Sequence, residues 1–498
     1  MSWNTINLQH PFAKLALWIT GATIYVQLFY EAHLGLNALV FSILAIGTAA
    51  LSYPELRHQK PSRWLAAAFL SSAALVAWRN SDLSIMVFFL CFLVFSGHLH
   101  RRPLRFLWFA GLLGITKLLG SPIAACYQLI RSWPSLEWKP AVRWSPFAIL
   151  PIGLGLVFGT LYYHANPQFA AFWQRFWPGS WLHLDWEAEQ ALLFLIGSFV
   201  VGGLIWPSLW GDFLKEWEAP FRSVLRRKRS TPKPKAGTLG LKREYQTGVF
   251  TLAILNGLLF VANLADLRFV WINYGQATPQ ELSQYVHEGT SLLILSILMA
   301  MGVLLWFFRS NLNFLPDNER LRWLAYLWLA QNAMLILSVG LRNWQYVANF
   351  GLAYKRLGVF GFLLATLAGL WLVYLKTRDK RTITFVLQRS AQLGLVLLLL
   401  YSTVNWDRMI TRYNIRQAAP GKLDVEFLTR TLPPVNLPTL WEERHRLQVA
   451  AGWTEDELTR KLKAVSSRLK KQHRPGWRSW NYTTSRARRG DPFRDSGR

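Results

Sequence analysis

The sequence predicts an all-α fold: a polytopic bundle of about 11–12 transmembrane helices carrying a small, partly helical extramembrane tail. Three observations lead there. Only 16% of the 498 residues are charged while 52% are hydrophobic, against about 25% charged in soluble domains. The charge is segregated, with long charge-free runs alternating with short basic links, so mean hydropathy is only +0.18. The chain also holds 26 Trp, a residue that suits the bilayer boundary by burying its ring and keeping its N–H wet.

The apolar runs that can cover the hydrocarbon are, in order, Leu15–Tyr30, Leu34–Tyr53, Trp64–Trp78, Leu83–Gly97, Ser145–Tyr163 and Ala191–Trp210. After a basic link come Thr247–Ala265, Gly289–Phe308, Trp323–Leu341, Leu357–Leu375 and Ser390–Val404. The shorter Trp64–Trp78 and Leu83–Gly97 span if Arg63 and Arg79 reach along their stems to the surface. Phe106–Ile130 is apolar but holds Lys117 at its middle and Gly114, Gly120 and Pro122. Crossing, re-entrant and interfacial placements are all open for it.

Basic links mark the cytoplasmic side. Residues 211–246 hold ten Lys/Arg against four Asp/Glu and are expected inside. So are the links around Arg57/Lys60/Arg63, Arg101/Arg102/Arg105, Arg131/Lys139/Arg143, Arg309/Arg320/Arg322 and Lys376/Arg378/Lys380/Arg381. Two of these flank Phe106–Ile130, and both are inside only if that stretch does not cross. The resulting scheme has eleven crossings, the N-terminus inside and the tail outside.

The expected organisation is an N-terminal bundle over 1–210, a basic cytoplasmic linker over 211–246 and a C-terminal bundle over 247–404. An extramembrane tail over 405–484 and a disordered basic end over 485–498 follow. Within the tail, Thr454 and Glu457 fit a capping box, and Leu458, Leu462, Val465 and Leu469 recur at helical spacing. That helix packs on the tail or lies on the membrane surface. The net charge of +28 is assigned to topogenic links and to anionic lipid headgroups, especially at Arg226–Lys235, and not to nucleic acid. Cys91 and Cys126 lie in apolar surroundings and form no metal-type spacing. No metal or other cofactor is expected.

Charged groups beside hydrocarbon are costly, so their positions are informative. Three clusters stand at ends of later spans: Tyr285, His287 and Glu288; then Arg342, Asn343, Gln345, Tyr346, Asn349, Lys355 and Arg356; then Asn405, Asp407, Arg408, Arg412, Tyr413 and Asn414. In the scheme all three are outer. The candidate ligand-binding set is Glu288, Arg342, Tyr346, Asn349, Arg356, Asn405, Asp407, Arg412 and Tyr413, with Glu288 and Asp407 paired to Arg342, Arg356 or Arg412. Such a cluster either binds an anionic headgroup, metabolite or peptide, or clamps neighbouring helices.

The same clusters resemble the bacterial integral-membrane families known only as domains of unknown function 4153 and 4173. The family's Tyr-x-x-Glu-Gly is matched by Tyr285, Glu288 and Gly289. Its Tyr-Gly-Leu-Thr-x-x-Arg is matched by Phe350, Gly351, Leu352, Ala353 and Arg356. Its Asn-Pro-Asp…Arg-Tyr-Asn is matched by Asn405, Trp406, Asp407, Arg412, Tyr413 and Asn414. Leu423, Asp424, Phe427, Leu428, Leu437, Pro438 and Leu440 continue the pattern. Ala353 replaces the usual Thr and Trp406 the usual Pro. The likeness covers roughly residues 246–440 and implies a bacterial cytoplasmic-membrane protein, with no reaction attached.

No phosphate-cradling loop, HExxH or GxSxG occurs. His287 and Glu288, being adjacent, point apart on a helix. A non-enzymatic role in sensing, scaffolding or assembly is therefore expected. The alternatives are a transporter, for which only Lys117, Asn256 and Asn332 lie near mid-span, and a membrane enzyme acting on lipid-linked substrates.

Overall fold

The computed structural model describes residues 11–56, 58–99, 104–131, 168, 188–208, 210–225, 238–272, 290–309, 311–315, 317–419, 421, 423–472 and 476–494. Among the described residues the fold is all-α, without strands; Val224 and Arg381 form an isolated bridge. Six helices among the described residues are long and apolar enough to cross a membrane: Phe12–Phe29, Leu107–Leu129, Leu241–Asp266, Glu319–Phe350, Tyr354–Arg378 and Ile383–Thr403. Shorter apolar helices run Leu36–Ser52, Asp82–His98, Glu189–Ile205 and Leu292–Phe307. The chain is a multi-pass membrane protein. The expected span Ser145–Tyr163 lies outside the described residues.

The chain divides into two compact units, one of residues 1–219 with 472–486, the other of 220–471 with 487–498. The first holds α1 (Pro11–Phe29), α2 (Leu36–Ser52), α3 (Lys60–Arg79), α4 (Asp82–His98), α5 (Leu107–Arg131), α6 (Ala188–Ile205) and the short α7 (Gly211–Glu218). Lipid tails are as apolar as leucine, so helices here associate through close packing and interhelical hydrogen bonds. On α4 and α5 small residues let the backbones touch. A Cβ built on Gly97 would stand 1.7 Å from the Ala110 carbonyl oxygen, and one on Gly114 2.0 Å from that of Leu93. Phe69 of α3 stacks on Phe88 and Phe95 of α4, with centroids 5.5 and 5.4 Å away. The Trp18 indole of α1 donates to the Ser198 carbonyl of α6 at 2.7 Å.

Helix α5 falls on the stretch Phe106–Ile130, whose placement the sequence left open. It is one continuous helix of 25 residues, antiparallel to α4 and α6, and Arg131 stands at the opposite end from Arg105. Lys117, the residue that argued against crossing, runs its stem along the helix. Its ammonium donates to the Leu99 and Ser96 carbonyls at 2.6 and 3.2 Å and stands 5.1 Å from the Tyr53 ring centroid. These are the end carbonyls of α4, that of Ser96 also accepting from the Leu99 amide at 3.2 Å, and they form the negative pole of its dipole.

The C-terminal segment 472–486 belongs to this unit. The Leu36 and Asn37 amides at the start of α2 donate to the Trp480 and Arg478 carbonyls at 2.8 and 3.0 Å. The Arg478 guanidinium donates to the Gln27 carbonyl and the Thr483 hydroxyl to that of Trp78, each at 2.7 Å. The strap thus engages the α1–α2 and α3–α4 turns, the end of the unit opposite Lys60, His98 and α7.

The second unit holds α8 (Thr238–Asp266), α9 (Thr290–Phe307), α10 (Glu319–Phe350), α11 (Tyr354–Arg378) and α12 (Ile383–Thr403). Helices α8 and α10 run parallel. Their packing with α9 and α11 buries Leu252, Ile297, Leu304, Phe308, Leu321, Ala325 and Val339. The buried Lys376 of α11 donates to the Phe308 carbonyl just past α9, repeating the device of Lys117.

After α12 the chain builds a helical tail: α13 (Trp406–Gln417), α14 (Leu437–Glu442), α15 (Arg444–Ala451), α16 (Glu455–Lys471) and α17 (Tyr482–Arg489). The Thr454 and Glu457 side chains each accept from the other's backbone amide, at 3.3 and 3.2 Å, at the start of α16. Leu458, Leu462, Val465 and Leu469 join Ile410, Ile415, Leu437, Leu440 and Leu447 in one core with Val347, Leu352 and Leu357 of the bundle. So α16 spends its apolar face on the tail and not on the membrane. The end expected to be disordered from 485 is folded through Arg494, apart from its last four residues, which lie outside the described set. Ala487 is buried, and Ser466 donates to the Asp491 carboxylate at 2.7 Å.

Candidate functional site

The α10–α11 turn and the tail that covers it carry most of the candidate residues. Helix α10 ends at Phe350 because Gly351 takes φ +79°, a left-handed conformation that favours glycine. Arg356, one turn into α11, donates to the Phe350 carbonyl at 2.7 Å and to that of Gly351, and stands 4.5 Å from the Tyr346 ring centroid. Asn343 donates to the Arg356 carbonyl at 3.0 Å. The guanidinium thus closes the C-terminus of α10, where orphan carbonyls and the dipole both favour a cation.

Asn414 of α13 holds the other side of the turn. Its Oδ1 accepts from the Leu352 amide at 2.5 Å and its Nδ2 donates to the Leu352 carbonyl at 2.9 Å. A Cβ on Gly351 would stand 2.8 Å from Asn414 Oδ1. Asn405 caps α13, accepting from the Arg408 amide at 3.0 Å. Asp407 accepts from the Tyr354 hydroxyl, and the Tyr413 ring meets that of Trp344 edge-on at 6.4 Å. Asn349 is exposed and donates within its own helix to the Gln345 carbonyl at 3.0 Å.

The ion pairs seen among the described residues use carboxylates outside the candidate set. Arg342 pairs with Asp266 at the end of α8. Arg408 and Arg412 reach Glu442 at 3.3 and 3.1 Å, and Arg412 also reaches Glu443 at 3.4 Å. Arg416 grips Glu443 at 2.5 Å. These arginines recur every four residues along α13, so one face of the helix presents a guanidinium ladder to the start of α15. Glu288, with Tyr285 and His287, lies outside the described residues. The structure therefore brings together Tyr346, Arg356, Asn405, Asp407, Arg412 and Tyr413 around the tail, places Arg342 with Asp266, and leaves Asn349 aside.

The Arg416 hydrogen bond holds the Glu443 carboxyl below its ordinary value of 4.5, with Arg446 and Arg412 adding to it. A carboxylate depressed in the folded state contributes stability above its unfolded pKa and loses it as pH falls through the folded one. Tail protection from protease in detergent is therefore expected to hold from pH 7 to about 5, and to decline below 4.5. A Glu443→Gln variant would show a flatter profile.

A second polar feature, unread from the sequence apart from Asn256, lies along the α8–α10 seam. Asn256 Nδ2 donates to the Leu324 carbonyl at 3.0 Å and its Oδ1 accepts from Gln331 at 2.9 Å. One heptad on, Asn263 donates to the Gln331 carbonyl at 3.2 Å, and the Asp266–Arg342 pair closes the end at the C-terminus of α8. The seven-residue steps, 256 to 263 and 324 to 331, were the available signal. The side-chain oxygens of Asn263 and Gln331 are buried without a donor. Among the described residues no cluster of three or more metal-type ligands occurs.

A family model described as "Domain of unknown function (DUF4153)" matches residues 65–443. The chain belongs to this family. The match begins in α3, far ahead of the 246–440 stretch whose motifs carried the resemblance, and ends at Glu443, the acid that receives Arg412 and Arg416. Its span thus takes in the whole Arg356–Asn414–Glu443 clamp. No curated protein and no solved structure matches the chain.

Proposed function

We propose that this DUF4153-family protein is a non-enzymatic scaffold of the bacterial cytoplasmic membrane, with its N-terminus inside and its helical tail held rigidly on the outer face. The observation that carries this reading is how the candidate side chains are spent. Arg356 and Asn414 bind the backbone of one turn, and Arg408, Arg412 and Arg416 bind the tail's own carboxylates. A recognition site needs groups turned toward a ligand; a clamp needs them turned inward.

The sidedness follows from charge. In the second unit Arg309, Arg320, Arg322, Arg378, Lys380 and Arg381 lie at the end away from the tail, and in the first unit Lys60, Arg63 and Arg105 lie at the end away from the strap. Positive links stay inside, so tail and strap are outside.

Limited trypsin digestion of the purified protein and its Asn414→Ala variant tests the clamp. The scaffold reading expects rapid cleavage within 405–471 in the variant alone; an unchanged cleavage pattern would favour a ligand site. A transporter is the second reading, supported by the two donor-less amide oxygens of the α8–α10 seam. It requires substrate flux in proteoliposomes that Asn263→Leu abolishes.

A further inference from the structure

The short helix α7 carries an arrangement that the scaffold reading does not use. Viewed down its axis it has three faces. Leu214 and Glu218 turn into the bundle, Leu214 packing with Leu104, Phe109 and Leu113. Glu218 is 1% exposed; its carboxylate accepts from the Phe106 amide at 2.8 Å and from the Arg105 amide, and pairs with Lys215 at 2.9 Å. These two amides precede the first turn of α5, the positive end of its dipole. The second face is aromatic and open: Trp210, Phe213 and Trp217 are 56%, 46% and 59% exposed and touch one another in sequence, at 6.2 and 5.3 Å between centroids. The third, between the aromatic face and Lys215, presents the exposed Asp212 and Glu216.

We infer that α7 is an interfacial anchor whose aromatic face sits in the headgroup–acyl boundary of an anionic bilayer. The occupant is specified by position and charge. The helix begins six residues after α6 ends at Ile205, so it stands where the polypeptide leaves the hydrocarbon. Its apolar, polar and bundle-facing sides are those of a helix lying in the membrane plane against a spanning bundle. The link it opens continues into Arg226, Arg227, Lys228, Arg229, Lys233 and Lys235, a run that adds attraction for acidic lipid. Through Glu218 the anchor is tied to the start of α5, so the position of α7 at the surface sets the capping of a spanning helix. This inference is independent of the scaffold reading.

The test uses full-length protein with Cys91→Ala and Cys126→Ala, a fluorophore on Phe213→Cys or Glu216→Cys, and vesicles of phosphatidylcholine with or without phosphatidylglycerol. An aqueous nickel chelate should quench position 213 about threefold or more less than position 216, as a group sunk ~5–10 Å into the boundary requires. Lipids spin-labelled near the headgroup should quench 213 strongly, the more so with phosphatidylglycerol. Equal aqueous quenching at both positions would overturn the inference. So would a position 213 shielded from both quenchers, since a protein partner would then cover it.

Discussion

Replacing Gly97 or Gly114 by leucine is expected to abolish accumulation of folded protein. Each glycine lies where α4 and α5 touch through backbone atoms, with a neighbouring carbonyl oxygen 1.7 or 2.0 Å from where a Cβ would stand. A normal carbon–oxygen contact is well over 3 Å, so the helices would have to part by more than 1 Å along their shared length. Backbone cannot yield as a side-chain tip can. The separation would also draw Lys117 from the Leu99 carbonyl, leaving a cation buried in apolar surroundings. Overpacking alone costs about 1–3 kcal/mol and the uncompensated charge several more, a large part of any domain's stability. Gly120 is the internal control: it is on α5, nothing lies within 4 Å of its Cβ position, and Gly120→Ala should be neutral or mildly stabilising. Monodisperse yield in detergent reads both.

The second large effect is expected at Asn414. Alanine there removes both bonds to Leu352, whose amide and carbonyl face the covered side of the tail. Each buried group left unmatched costs about 1–3 kcal/mol, so roughly 2–4 kcal/mol of the tail's attachment should go. The bundle should survive while the tail becomes cleavable at its many lysines and arginines. Asn349→Ala, which removes only an exposed bond within α10, should change stability by less than about 0.5 kcal/mol. If the two variants behaved alike, Asn414 would have no clamping role.

What the sequence disclosed was whatever is written locally. The spans follow from runs of apolar residues, and the start of α16 from Thr454 and Glu457 three positions apart. Two motifs quoted for the family resemblance, Phe350–Arg356 and Asn405–Asn414, do meet, through Leu352 and Asn414. The choice among partners was not legible. Arg342 takes Asp266, one residue past where its span was read to end, and the arginines of α13 take Glu442 and Glu443, thirty residues on. Pairing of that kind is fixed by tertiary packing alone. The apolar stretch that became α5 was left open partly because of Lys117, whose stem carries the ammonium to the Ser96 and Leu99 carbonyls at the end of α4. The Arg-rich end escaped because a few apolar residues, Ala487 and Phe493 among them, suffice to dock it, and the return of 472–486 to the first unit has no local signature.

The central claim, drawn from the charge of each unit taken by itself, is that the strap-bound α1–α2 and α3–α4 turns of the first unit are outside and so is the tail-covered α10–α11 turn of the second. Sidedness labelling in sealed vesicles tests it most directly. Single cysteines at Asn80, Asp424 and Ser479 would be probed with a membrane-impermeant maleimide, beside cysteines at His58, Asp317 and Lys380. The account predicts that the first three react from one side of the membrane and the last three from the other. Labelling of Asn80 and Asp424 from opposite sides would contradict it.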